Sequence, residues 1–396
     1  MTEAVMEMKT EKRGVVVRKI KGLEEWIAIV HELGPKFAER AIEHDNNDTF
    51  VMDNYRDLKE KKFFSAAIPA ELGGGGLTHG EMCSVLRELA GHCGSTALTL
   101  SMSQHLIAAA VWKYRRGQPG KEMLEKVAAN ELILISTGAN DWLASNGTMK
   151  RVDGGYLVSA KKTFASGCLA GDVLVTSAVF DDKDEGSQVL HFSVPFSADG
   201  LSIAENWKVL GMRGTGSHTV VLEDVFVPEE AIVMKRPSST FHPVWNVVLT
   251  VAMPLITSVY VGIAEKAVDI VRKNAARKIN DPVAPYILGE MENALTTAQM
   301  AQQGMVEIAN NLDFEPENEN ANEILKRKTI AGKAVLETVE KAVESSGGFG
   351  FLRSVVLERL LRDVHAFQFH PLSEKRQLLF TGRIALGLDP SVNKIE

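Results

Sequence analysis

The chain has 396 residues, 45% hydrophobic and 24% charged, with a formal net charge of −7, long enough for two or three domains around a large core. The acid excess, with no long basic run, excludes a nucleic-acid binder, which needs a basic face to neutralise phosphates. No stretch reaches the about 20 uninterrupted apolar residues of a membrane helix. The longest candidate, Val244 to Ile263, is broken by Asn246 and Pro254 and reads as a buried helix, so no membrane partner is expected.

In chain order, residues 22 to 132 read as helical. Leu23, Trp26, Ile27, Val30, Leu33 and Phe37 recur at helical spacing. Gly73 to Gly76 interrupts the pattern, and Thr78 with Glu81 forms a capping box for the next helix. A further helix runs from Thr96 to Arg115 and is ended by Gly117 to Gly120. From Leu132 to Val233 the segments become short and β-branched, punctuated by Gly and Asp, which predicts a small antiparallel sheet or barrel. After Pro243 the helical period returns almost to the end, with Asp313 to Asn322 as a polar loop between two helices. The expected divisions are an N-terminal helical domain over 1–132, a middle β domain over 133–235 and a C-terminal helical bundle over 236–396. The first fourteen residues mix acids and bases without an apolar signal region. Cys83, Cys93 and Cys168 are odd in number and lack metal spacing. A cytoplasmic location and no metal site are therefore expected.

Four stretches stand out for their order and spacing. The first is Ile68 to Gly74 (IPAELGG), and the second is Lys161 to Gly167 (KKTFASG) followed by Ala170 to Val175. The third is Leu210 to Ser217 (LGMRGTGS) followed by Val221 to Pro228. The fourth is Gly347 to Gly350 (GGFG) followed by Leu360 to Asp363 (LLRD). Together they resemble the acyl-CoA dehydrogenase family over residues 20 to 390. That likeness implies a mainly α fold with a central β domain and a C-terminal four-helix bundle. It also implies a flavin, FAD or alternatively FMN, and assembly as a homotetramer or a dimer. A flavin ring needs hydrogen-bond donors where negative charge develops on reduction, and Ser166 stands where the family places such a group. On its own Ser166 reads as a turn residue before Gly167. The resemblance also assigns cofactor contacts to Arg213, Arg277, Gly347, Gly348 and Gly350. Read without it, Arg213 is a surface charge and the glycines are helix caps. Ser217 and His218 follow Arg213 as candidates to line the same pocket.

The departures from the family are equally informative. A dehydrogenase of this family uses a carboxylate to take the substrate's α-proton. The usual position of that glutamate falls on Pro371, and the alternative region, Thr250 to Pro254, holds no acid. The pyrophosphate-binding segment survives only as Arg277, and the substrate-side loop has become Ser136 to Trp142, where Asn140 and Trp142 are pocket candidates. This pattern resembles the branch of flavin monooxygenases that receives reduced flavin from a separate reductase. His370 and His105 resemble the histidines those enzymes place near the flavin, and with Ser166 they make the expected catalytic set. Imidazole titrates near neutrality and can give or accept a proton. The structural alternatives are a hydrogen-bonded core histidine for His105 and a helix-terminus residue for His370. His365 reads as structural, and Glu374, Lys375 and Arg376 as a solvated charge cluster. The expected function is thus a two-component flavin monooxygenase acting on a small molecule. The alternatives are a divergent acyl-CoA or acyl-carrier-protein dehydrogenase, paired with an electron-transfer flavoprotein and using Glu374 or Asp141 as base, and a non-catalytic binding protein of the same fold.

Overall fold

The computed structural model describes residues 21–138, 145–238, 242–274 and 278–390. Five helices come first: α1 (Leu23–Asn47), α2 (Met52–Glu60), α3 (His79–Ala90), α4 (Gly94–Arg115) and α5 (Lys121–Asn130). The apolar stripe of α1 buries Trp26, Val30, Leu33, Phe37 and Ala41, at the three-to-four spacing that the sequence shows. The capping box of α3 is formed. Thr78 Oγ1 accepts from the Glu81 amide at 3.2 Å, and the Glu81 carboxylate accepts from the Thr78 amide at 2.8 Å. These two bonds satisfy donors that a helix start otherwise leaves unpaired.

Eight strands follow: β1 (Leu134–Ser136), β2 (Thr148–Val152), β3 (Gly155–Lys162), β4 (Val173–Asp182), β5 (Gly186–Pro195), β6 (Leu201–Ala204), β7 (Thr219–Pro228) and β8 (Ile232–Pro237). They make one sheet in the order β6-β7-β3-β2-β4-β5-β8, with β1 joined to β4. The sheet is mixed, which corrects the antiparallel expectation. β1 runs parallel to β4, Leu134 opposite Val173, and β2 also meets β4 in parallel, Thr148 opposite Val179. Parallel and antiparallel partners present the same alternation of side chains along a strand, so strand direction was not readable from the pattern.

The remaining helices are α6 (Val244–Asn274), α7 (Ala284–Ala309), α8 (Asn318–Ser346), α9 (Leu357–Val364) and α10 (Glu374–Ala385). The polar stretch read as a loop to Asn322 turns helical at Asn318, where Ala321 and Asn322 are buried on α8. Helix α6 is long and apolar enough to cross a membrane by composition, but its apolar window is wholly buried against the rest of the fold. One ion pair ties the first helical region to the last. Arg362 on α9 grips Asp45 on α1 with two hydrogen bonds, at 2.8 and 2.6 Å, and also donates to Glu358 at 2.8 Å. Burial works against charge on Asp45, but the Arg362 hydrogen bonds outweigh it and hold its carboxyl below the usual range. Asp45→Ala is expected to cost about 3 kcal/mol, because it leaves Arg362 charged and half-paired in a largely buried position. Chemical denaturation of the two proteins under identical conditions measures that difference.

Candidate active site

A cavity of about 420 Å³ opens between the sheet, α4, α6 and the segment after α9. Its volume falls in the about 300–1,000 Å³ range of small-molecule sites. Apolar side chains form most of the wall, including Phe164, Trp207, Trp245, Leu249 and Met253. His105 from α4, Ser166 from the turn after β3 and His370 from the segment after α9 all line it. The three residues expected as the catalytic set therefore face one cavity, although 265 positions separate the first from the last in the chain.

The Ser166 turn is fixed by backbone pairing with the 215–218 segment. The amides of Ala165 and Gly167 donate to the carbonyls of His218 and Thr215, at 3.1 and 3.0 Å. Gly167 has φ +78°, and a Cβ there would stand 3.1 Å from Thr99 and 3.2 Å from the Tyr55 hydroxyl, so glycine is required on both counts. The pairing sets Ser166 Oγ 2.8 Å from Ser217 Oγ, which is 2.8 Å from Thr215 Oγ1. Thr215 Oγ1 in turn donates to the Met212 carbonyl at 2.8 Å. Each hydroxyl has one proton, and the carbonyl at the end can only accept. The chain is therefore ordered from Ser166 to Ser217 to Thr215, and Ser166 keeps free lone pairs. Its own amide is spent on the Phe164 carbonyl at 3.0 Å, so the contact that Ser166 offers a ligand is through its hydroxyl.

His370 is held by a residue that the sequence did not single out. Tyr260 on α6 stands with its hydroxyl 2.8 Å from His370 Nε2, and its ring stacks on Phe367 at 4.5 Å. Burial, with Asp363 nearby, pushes the Tyr260 phenol well above its ordinary range, so it is neutral. Packing of the His370 ring against the interior, with the Lys328 ammonium nearby, pushes that imidazole down to about 3 although the residue borders the cavity. With both neutral, the buried phenol has no other partner among the described residues and donates to Nε2. The ring proton then sits on Nδ1. His105 is likewise pushed down by burial, to about 4, against the residual pull of the Ser101 carbonyl. Its Nδ1 is buried without a well-formed hydrogen bond. Both imidazoles are thus neutral hydrogen-bonding groups at physiological pH. This corrects the expectation that they titrate near neutrality, and burial is the reason.

The other expected contacts sit elsewhere or outside the described residues. Arg213 is not on the cavity wall. Its guanidinium donates to the carbonyls of Val209 and Asp45, both at 3.1 Å, and lies 3.5 Å from the Asp48 carboxylate, pinning the 210–217 loop to the end of α1. Gly347, Gly348 and Gly350 form a turn at the end of α8, away from this cavity, beside the exposed rings of Phe349 and Phe351. Arg277, Asn140, Asp141 and Trp142 lie outside the described residues. Ser217 lines the cavity. His218 does not, and its Nδ1 accepts from the Trp207 amide at 3.1 Å. His365, read as structural, also reaches the wall and is bonded to Gln368 at 3.1 Å. Glu374 is turned outward and paired with Lys333 at 3.3 Å. Among the described residues no carboxylate lines the cavity, and Arg362 is its one permanently charged side chain. Trp245 and Tyr260 carried no signal in the sequence beyond apolar helical spacing.

Comparison with known proteins gives this geometry a context. The family model "Acyl-CoA dehydrogenase, N-terminal domain" matches residues 30–131, and "Acyl-CoA dehydrogenase, C-terminal domain" matches 255–374, together more than half of the chain. The putative acyl-CoA dehydrogenase YdbM of Bacillus subtilis is 26% identical over 372 residues, covering 88% of this chain and 93% of the relative. The oxygenase subunit HsaA, a flavin-dependent monooxygenase of Rhodococcus jostii, is 26% identical over 390 residues, covering 89% and 96%. Among solved structures, KijD3 in complex with FMN and a dTDP-linked amino sugar superposes with a TM-score of 0.85 at 24% identity, over 94% of this chain and 95% of that one.

Two outcomes follow from the buried histidines and their partner. Tyr260→Phe removes the donor to His370 Nε2 and should cost about 1–2 kcal/mol. In nitrogen NMR spectra His370 should change from a single tautomer protonated on Nδ1 to a mixture. A single unchanged tautomer contradicts the assignment. Acid should also unfold the protein early. His79 and His105 are held at about 4 and His191 and His370 at about 3 when folded, against 6.5 when exposed. Below about 6.5 the unfolded chain therefore binds more protons, and stability falls as pH drops towards 4. Asp363, raised by burial to about 6, acts oppositely because the folded state takes its proton first. Glu131, also raised by burial, acts as Asp363 does, and four groups against two give a net loss, read as a falling Tm between pH 7 and 4.5.

Proposed function

The chain belongs to the acyl-CoA dehydrogenase family, and within it we propose that this protein is a flavin-dependent monooxygenase, not a dehydrogenase. The observation that carries this reading is the composition of the cavity wall, which has the neutral imidazoles of His105 and His370 and a hydroxyl chain but, among the described residues, no carboxylate. A dehydrogenase needs a base for the α-proton at the reacting carbon. An oxygenase needs instead a dry apolar chamber with a few placed hydrogen bonds. The cavity fits a flavin by its volume, its aromatic walls and the open lone pairs of Ser166. The flavin of KijD3 and the monooxygenase name of HsaA support the same choice. When bound in reduced form, the flavin supplies two electrons to O2, so that one oxygen atom enters the substrate and the other leaves as water.

The protein's own groups have distinct tasks in this reading. Ser166 accepts a hydrogen bond from the ligand, because its proton is committed to Ser217. His370 presents a proton on Nδ1 while Tyr260 holds its other nitrogen. Trp207, Trp245 and Phe164 keep water from the reacting oxygen. FAD and FMN both suit the cavity, and the designation of HsaA as an oxygenase subunit supports a separate reductase as partner. The exposed Phe349, Phe351, Leu378 and Leu379 support assembly through the C-terminal helices into a homotetramer. The three free cysteines support a cytoplasmic setting.

Titration of the purified protein with flavin in both redox states tests this proposal. Reduced flavin should bind more tightly than oxidised flavin, and acyl thioesters should not bleach a bound flavin under anaerobic conditions. Bleaching by an acyl thioester would sink the proposal in favour of a dehydrogenase. Ser166→Ala should weaken reduced-flavin binding by about 0.5–1.5 kcal/mol, the value of one neutral hydrogen bond, because Ser166 accepts here and does not donate as the resemblance implied. His370→Ala should leave that affinity unchanged while more of the consumed oxygen appears as hydrogen peroxide.

A further inference from the structure

A second cavity, of about 390 Å³, lies behind the 211–214 turn, between α1, the start of α4 and α9. It shares no lining residue with the first. Its most telling member is Arg359. This side chain is only 9% exposed, lines the cavity, and has no hydrogen bond or ion pair to any described residue. A buried guanidinium carries five donors and a permanent charge, and leaving it unanswered is costly. Its neighbours on α9 make their hydrogen bonds elsewhere, although Asp363 stays close enough to feel the charge of Arg359. Arg362 is taken by Asp45 and Glu358, and Asp363 accepts from the Met212 amide.

Two further features converge on the same space. The 22-residue helix α4 begins there with Gly94 and Ser95 on the wall, and its N-cap residue Cys93 provides no side-chain cap. The first turn of an uncapped helix presents free amides and the positive end of the helix dipole. Lys266 on α6 also lines the cavity and has no ion pair among the described residues. Three carboxylates share the wall and offset part of this charge: Asp45 is paired with Arg362, Glu39 is exposed, and the buried Asp363, its carboxyl raised by burial to about 6, feels the charge of Arg359.

We propose that this second cavity is an oxyanion site for a phosphate-type group, with Arg359 as the charged donor, the first turn of α4 as backbone cradle and Lys266 as a second cation. A planar guanidinium matches two oxygens of a tetrahedral anion, and the volume leaves room for a phosphate borne on a larger molecule as well as for the free ion. The site shares no lining residue with the flavin cavity, and binding of phosphate or AMP to it is read without flavin.

The test uses the full chain in chloride buffer at constant ionic strength, titrated with inorganic phosphate or with AMP by calorimetry and thermal shift. Both probes should raise Tm in proportion to the logarithm of their concentration above Kd. Arg359→Gln should weaken phosphate by roughly 10–100-fold, and Lys266→Gln should weaken it in the same direction. AMP binding more tightly than phosphate identifies a phosphorylated molecule as the occupant, and equal binding identifies the free ion. Either result supports the site. A Tm response equal to that of added chloride overturns the proposal, as does an unchanged affinity in a folded Arg359→Gln protein. If that variant does not fold, unchanged affinity in Lys266→Gln decides against it. A parallel loss of reduced-flavin affinity in Arg359→Gln would assign the arginine to the flavin and also overturn a separate site.

Discussion

Helix α6 is buried from Trp245 to Ala264, and this one constraint organises the rest of the molecule. A helix with no solvent face must find a protein partner for every polar side chain that it carries. Asn246 donates to the Pro316 carbonyl at 2.9 Å and thereby fixes the entry to α8. Ser258 accepts from Gln302 on α7 at 2.8 Å. Tyr260 donates to His370, and Glu265 receives Arg87 from α3. Each requirement thus recruits a different element, so the polar residues of α6 specify which helices surround it while its apolar residues supply the burial. Pro254 removes one amide from the helix ladder. Thr250, a turn earlier, has a hydroxyl without a partner, so the least satisfied part of α6 lies beside Leu249, Ala252 and Met253 on the cavity wall.

The same burial determines what the site can do. Desolvation drives both imidazoles neutral and the Tyr260 phenol neutral as well. At these groups, proton positions are then fixed by partner accounting and not by titration. Tyr260 gives to His370, Ser166 gives to Ser217, and Thr215 gives to the Met212 carbonyl. A wall of this kind offers oriented dipoles that need little reorganisation when charge develops, whereas a titrating wall would change its charge with pH.

The sequence revealed the fold class and the company of the three expected residues, for different reasons. The alternation between periods near 3.6 and 2 follows directly from burial on one face, so the order of helices, strands and helices was readable. Ser166, His105 and His370 were found because each lies at a motif position in a resembled family, and the cavity contains all three. Arg213 shows the limit of that route. Its motif is intact, yet its guanidinium is consumed by the end of α1, a contact made across 168 positions that no local pattern records. Tyr260 was missed because an aromatic residue in an apolar helix looks like packing, and its hydroxyl acquires meaning only when His370 is brought beside it by the fold. The histidine pKa values were misjudged for the same reason, since desolvation belongs to the tertiary structure and not to the residue type.

The motif loop from Leu210 to Ser217 now has a physical explanation that joins the two cavities. A Cβ at Gly211 would lie 2.2 Å from the Arg362 carbonyl, so only glycine allows the loop to rest on the α9 backbone. There the Met212 amide reaches the Asp363 carboxylate. Met212 itself has φ 54°, a left-handed conformation uncommon outside glycine, and it is kept there by that bond and by the bonds of its carbonyl to Thr215 and Trp207. Arg362 and Asp363, adjacent in sequence, face opposite ways. The first touches the flavin-sized cavity and the second touches the cavity of Arg359. One thin wall therefore serves both chambers. Asp363 holds the Met212 amide, and the Met212 carbonyl anchors the hydroxyl chain that ends at Ser166, three hydrogen bonds away.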